Sequence, residues 1–173
     1  MHHIGVKIFE QSGAELQAGT AILVFHRWIQ RGGQPELLID VADYAHVPAG
    51  PGVVLVGHEG SYSLDNADNR LGLLYQRKEK SGLDLRAVYD SAVGACRHLE
   101  QEPEYQGKLK FDEREFALIW NDRALYPNTD ESWGRVKPDV ATFLDGLLGA
   151  GHYRLTRVGQ DRRERLSVEV RRA

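Results

Sequence analysis

The sequence predicts an α+β domain, a mostly antiparallel sheet with about three helices packed on it. Three observations lead there. Several short segments alternate apolar and polar residues, the period of a half-buried strand. Other segments repeat their apolar residues at three and four positions, the period of a helix face. The resulting order, roughly β-α-β-β-β-α-β-β-α-β-β, lacks the strict strand-helix alternation of a parallel, doubly wound sheet.

Taken in order, His3 to Phe9 sets Ile4, Val6 and Ile8 against Gly5 and Lys7, which makes a strand with Lys7 on its polar side. Ala21 to Ile29 carries Ile22, Phe25 and Ile29 at helical spacing, with Thr20 as a cap and Gly32-Gly33 as a stop. Leu37 to Val41 and Val53 to Val56 are short aliphatic strands. The Pro48-Ala49-Gly50-Pro51-Gly52 stretch between them cannot continue a ladder, because proline lacks the backbone donor. The polar turn Asp65 to Asn69 precedes another strand, Arg70 to Gln76.

In the second half Leu85, Val88, Tyr89, Ala92, Cys96 and Leu99 follow one helix face, opened by Asp84 and closed before Pro103. Leu109 and Phe111, then Phe116, Leu118 and Trp120, predict a hairpin about the charged turn Asp112-Glu113. Val140, Phe143, Leu144, Leu147 and Leu148 share the face of a third helix, with Pro138 in its first turn, where a missing N–H costs nothing. Whether Ser132 to Val136 adds a turn before it is left open by the pattern. Tyr153 to Val158 and Arg165 to Val170 form a closing hairpin around Gly159-Gln160-Asp161.

At 173 residues, 42% of them hydrophobic, the chain has the size and apolar content of one domain spanning 1–173. The polar segment Arg77 to Leu83 offers the alternative, a hinge between sub-lobes 1–78 and 83–173. No run of about 18 apolar residues exists for a membrane-spanning helix, and the N-terminus lacks the pattern of a secretory signal. Cys96 is the only cysteine, so a reducing, cytoplasmic compartment is expected. A net charge of −3 with mixed signs gives no broad positive field, which argues against nucleic acid as a partner. The arginine-rich end of the chain, Arg154 to Arg172, is the local exception, and it reads best as a solvated sheet face.

The densest polar cluster is Asp40 to His46, followed across the proline-glycine loop and one apolar strand by Gly57 to Tyr62. Imidazole titrates nearest to neutral pH, so His58, Glu59 and His46 are the candidate catalytic groups for acid-base chemistry. The same two imidazoles and a carboxylate would also serve as a metal triad, but their spacing matches no compact metal motif, and no metal or cofactor is assigned. Asp40, Asp43, Tyr44, Ser61 and Tyr62 are the candidate ligand-binding residues, with His26 between Phe25 and Arg27 as an outlying one. This site requires the turn joining two neighbouring strands to bring their polar tips together. Cys96 lies on a helix's apolar stripe and reads as core.

No glycine-rich phosphate cradle and no nucleophile elbow is present. The expected function is therefore that of a binding or accessory protein. It would act through a protein partner or a second copy of itself, docking with aromatics such as Trp28, Trp120, Trp133, Tyr62 or Tyr126. A small enzyme, or a small-molecule ligand site, at His46, His58 and Glu59 is the alternative.

Overall fold

The computed structural model describes residues 2–32, 34–47, 50–79, 84–159 and 161–173, and within them the chain forms eight strands and three helices. Strand β1 (His2–Glu10) is followed by helix α1 (Ala18–Arg31) and a four-stranded run, β2 (Leu38–Tyr44), β3 (Gly52–Gly57), β4 (Gly60–Asp65) and β5 (Gly72–Glu79). Helix α2 (Leu85–Gln101) leads to β6 (Phe111–Trp120), helix α3 (Asp130–Leu148), β7 (Tyr153–Val158) and β8 (Leu166–Arg172). Parts of four expected features lie outside the described residues: Gly33 of the helix stop, Pro48-Ala49 of the loop, residues 80–83 of the hinge and Gln160 of the last turn.

All strands join one antiparallel sheet in the order β2-β3-β4-β5-β1-β6-β8-β7. The path has a simple logic. From each central strand the chain leaves through a helix, reaches an outer edge, and returns strand by strand: β1 through α1 to β2 and back to β5, β6 through α3 to β7 and back to β8. Helix α2 links the two halves.

The α+β class and mostly antiparallel sheet match the sequence pattern, and the differences are local. Gly60 to Asp65 forms β4, a strand absent from the expectation, because Ser61 and Ser63 hide the alternation of Tyr62 and Leu64. Phe111 to Trp120 is one strand and not a hairpin. Its charged segment is absorbed as an irregularity, since Glu10 pairs with Phe111 and Ile8 with Phe116. Helix α3 starts eight residues before Pro138, at Asp130, where the Thr129 side chain accepts the Ser132 N–H at 3.2 Å and two acidic residues favour the positive helix end. Pro138 sits inside that helix on an exposed face, where water can satisfy the carbonyl freed one turn earlier.

The core lies between one sheet face and the helices. Alternate residues Ile4, Val6, Ile8, Phe116, Leu118 and Trp120 are fully buried against Phe25 of α1, Val88 of α2 and Val140 of α3. Each large apolar side chain removed from water contributes about 1.5–3 kcal/mol. Asp84 caps α2 by accepting the Ala87 N–H at 2.9 Å. Cys96 is buried in this core, and burial pushes its thiol pKa well up, as expected of a core cysteine. Trp28 is also buried, stacked on the His98 ring at 4.3 Å, with its indole N–H donated to Glu102 at 2.7 Å. Among the described residues no helix is long and apolar enough to cross a membrane.

Candidate functional site

The sequence-predicted residues sit on the β2–β4 meander, but the topology keeps the principal ones apart. β2 pairs with β3 from Leu38 opposite Gly57 to Tyr44 opposite Gly52. In an antiparallel pair the end of one strand lies beside the start of the next. His46, just past β2, therefore lies by the Gly52 end, whereas His58 and Glu59 follow Gly57 at the other end, where the His58 N–H bonds the Leu37 carbonyl at 2.8 Å. The length of β3, about 20 Å at ~3.3 Å per residue, separates them. The expected convergence of His46 with His58 and Glu59 is corrected on that ground.

Their neighbours have local roles. Asp40 and Asp43 accept the backbone N–H groups of Val41 and Ala45. The Glu59 carboxylate pairs with Arg77 at 3.2 Å. Tyr44 is exposed, and His26 is exposed on α1. Tyr62 is fully buried against the Tyr75 ring at 4.5 Å, so it cannot reach a ligand from the surface. Glu36, which the sequence reading passed over, fixes this corner by accepting the Tyr75 hydroxyl at 3.0 Å and the Glu59 and Gly60 N–H groups at 2.8 and 3.1 Å. Among the described residues no group of three His, Cys, Asp or Glu side chains is placed to hold a metal. Trp28, Trp120 and Tyr62 are buried and offer no docking surface, which corrects their expected role.

A different site appears on the sheet face opposite the helices. Side chains alternate along a strand, so the residues between the core positions share the other face. The registers align them in rows: Val54, Ser63, Leu74, Lys7, Ala117 and Glu169 in one, and Asp40, Val56, Ser61, Gln76, Gly5, Ile119 and Ser167 in the next. Asp40 and Ser61 thus do face one surface together. Phe9, Leu74, Ala117 and Ile119 form an apolar cluster of their own there, without helix residues.

Lys7 lies at the centre of this face and is only 4% exposed. Its side chain crosses β5 at Gly72, where any Cβ would come within 2.9 Å of the lysine Cε. The missing side chain of Gly72 is what lets the ammonium reach Asp65 on β4, at 2.6 Å, with the carboxylate equally buried. Burial is the largest influence on Lys7 and lowers its pKa, Asp65 opposes that, and Arg165 adds a smaller lowering effect. The ammonium has three donors. Asp65 takes one and the Ala67 carbonyl, at 3.4 Å, another, which leaves one N–H without an acceptor among the described residues.

Above this pair opens a cleft of about 760 Å³. Phe9, Ala117 and Ile119 form its apolar floor, the turn Asp65 to Asp68 one wall, and Asn121, Gly159 and Arg165 the other. These walls come from diagonally opposed corners of the sheet, the end of β4 and the start of β8. On the first wall Asp68 and Asn69 both adopt left-handed backbone, φ 60° and 55°, a costly conformation for two successive non-glycine residues. Arg70 beside them lies over the Phe9 ring at 3.6 Å and pairs with Glu115 and Glu169 at 2.7 and 3.0 Å.

Sequence reasoning passed over this site because Lys7 occupies the polar phase of an alternating strand and Asp65 opens a turn-like run. The one readable hint is Gly72, a glycine placed within a strand. No family model, no curated protein and no solved structure matches the chain, so the functional reading rests on this geometry alone.

Proposed function

We propose that this is a binding protein that takes a small molecule on the helix-free face of its sheet. The observation that carries the reading is the buried Lys7–Asp65 pair, one donor unused, at the base of an apolar-floored cleft. Ligand sites combine these features: a concavity of some 300–1,000 Å³, apolar walls and a few placed polar groups. The solvatochromic dye Nile red, neutral and apolar, tests the cleft directly. Its emission is expected to rise and shift to the blue with the wild-type protein, and to fall back with Ser167→Trp, which fills the floor from a half-buried position. Unchanged emission, or binding that survives Ser167→Trp, would remove the reading.

A second reading, docking of a protein partner, is favoured by one observation. Leu37, Ile39, Tyr44 and Val47, between 40% and 71% exposed, gather on or beside β2, one of the two edge strands of the sheet. Asp40 and Asp43 make that edge acidic, so its partner would be basic. Ile39→Lys should abolish retention of such a partner and leave Nile red binding intact.

A further inference from the structure

The charges of the cleft divide by depth. Arg123, Arg163, Asp68 and Glu164 are exposed at the rim, where water and salt screen them. At the base Lys7 and Asp65 neutralise each other, and Glu169, partly exposed, is paired with Arg70. Arg165 is the exception. It is half-buried, lines the cleft, and has no ion pair or side-chain hydrogen bond among the described residues. Its backbone is fixed by a bridge to Pro127 just before β8 begins, and the next residue, Leu166, is buried in the core, so Arg165 faces the same side as Ser167.

The interior therefore holds one cation in excess. Partial burial of an unpaired guanidinium is unfavourable, and a planar oxyanion is the group that relieves it with two parallel hydrogen bonds. An uncharged ligand would leave that cost standing, and a dianion would exceed the single surplus charge.

Resting on the cleft reading above, we infer that the ligand is a small carboxylic acid with an apolar body, its carboxylate on Arg165 and its body on Phe9, Ala117 and Ile119. The unused Lys7 N–H supplies a second polar contact from the base of the cleft. The shape of the cleft suits such an amphiphile, with apolar floor between polar walls.

Isothermal titration with benzoate, benzamide and phenyl phosphate separates the possibilities. Benzoate is expected to bind at least about tenfold more tightly than its neutral isostere benzamide, the usual size of one charge-assisted contact. Arg165→Gln should erase that preference, and Arg165→Lys, which keeps the charge, should retain part of it. Equal affinities for benzoate and benzamide, an undiminished preference in Arg165→Gln, or tighter binding of phenyl phosphate would each overturn the inference. Nile red distinguishes the two levels: dye binding without a benzoate preference defeats the carboxylate inference alone, whereas loss of both defeats the cleft.

Discussion

The Lys7 ammonium meets the Asp65 carboxylate at 2.6 Å across an intervening strand, on the sheet face opposite the helices. Both groups are nearly inaccessible to solvent, so each is the other's main compensation for leaving water. Removing one partner should be far worse than removing both. Lys7→Met is expected to destabilise the protein by about 3–5 kcal/mol, whereas Lys7→Met with Asp65→Leu should return to within about 1 kcal/mol of wild type or exceed it. Urea denaturation of the four proteins of the cycle measures this, and a double variant as unstable as the single one would contradict it.

Gly72 is the passage for that lysine. A Cβ there would lie 2.6 Å from the Ile8 carbonyl oxygen and 2.9 Å from Lys7 Cε. Gly72→Ala should therefore cost about 1–3 kcal/mol, as overpacking does, although alanine normally suits a strand better than glycine. The same substitution should weaken Nile red binding by displacing Lys7, and a neutral or stabilising effect in denaturation would argue against the crossing.

Arg27 on α1 grips Glu102 and Glu104 just past α2, with contacts of 2.5 Å to each. Hydrogen bonding to Arg27 is the first cause holding the Glu104 carboxyl at about 2. Because the folded pKa lies below the ordinary 4.5, the pair's stabilisation is complete above pH 4.5 and drains away as pH falls toward 2. Melting temperatures measured over that range should fall more steeply for wild type than for Arg27→Ala, and 1 M salt should narrow the gap. Parallel curves would count against the coupling.

His46 and His58 occupy opposite ends of the β2–β3 hairpin. A double-mutant cycle on His46→Ala and His58→Ala should give a coupling below about 0.5 kcal/mol, the behaviour of distant sites. A larger coupling would bring the two imidazoles back together.

Thr129 opens α3 by accepting the Ser132 N–H. Thr129→Ala should cost about 1 kcal/mol and expose the segment before Pro138, which hydrogen exchange would register as faster exchange there than at residues 139–148.

Much of the fold was legible from period alone. The face of α2 and the alternations in β7 and β8 appear in the chain because each of these elements turns one side inward and the other toward water, whereas β1 alternates in sequence although both of its sides are buried. Serines at 61 and 63 concealed β4, since they occupy the sheet's second face where the pattern reads as polar, although Ser63 is itself buried. The candidate site was less legible, for a physical reason. Proximity in sequence across a hairpin says which strands pair, whereas the polar tips of such strands meet only when they flank the same turn. His46 and His58 flank different turns. Lys7, Asp65 and Arg165 line one cleft through a strand order that no local pattern encodes.

The order of the sheet also governs how the chain must be assembled. β1 finds its first neighbour only at β5 and its second only at β6, with Ile4 opposite Trp120. A nascent chain appears N-terminus first, at about 5–20 residues per second, so this alternating apolar strand waits several seconds beside the ribosome with neither edge satisfied. Such long-range closure makes for slow folding. Before the native state exists, Lys7 also puts a charge on the waiting strand, which discourages it from pairing with a stranger.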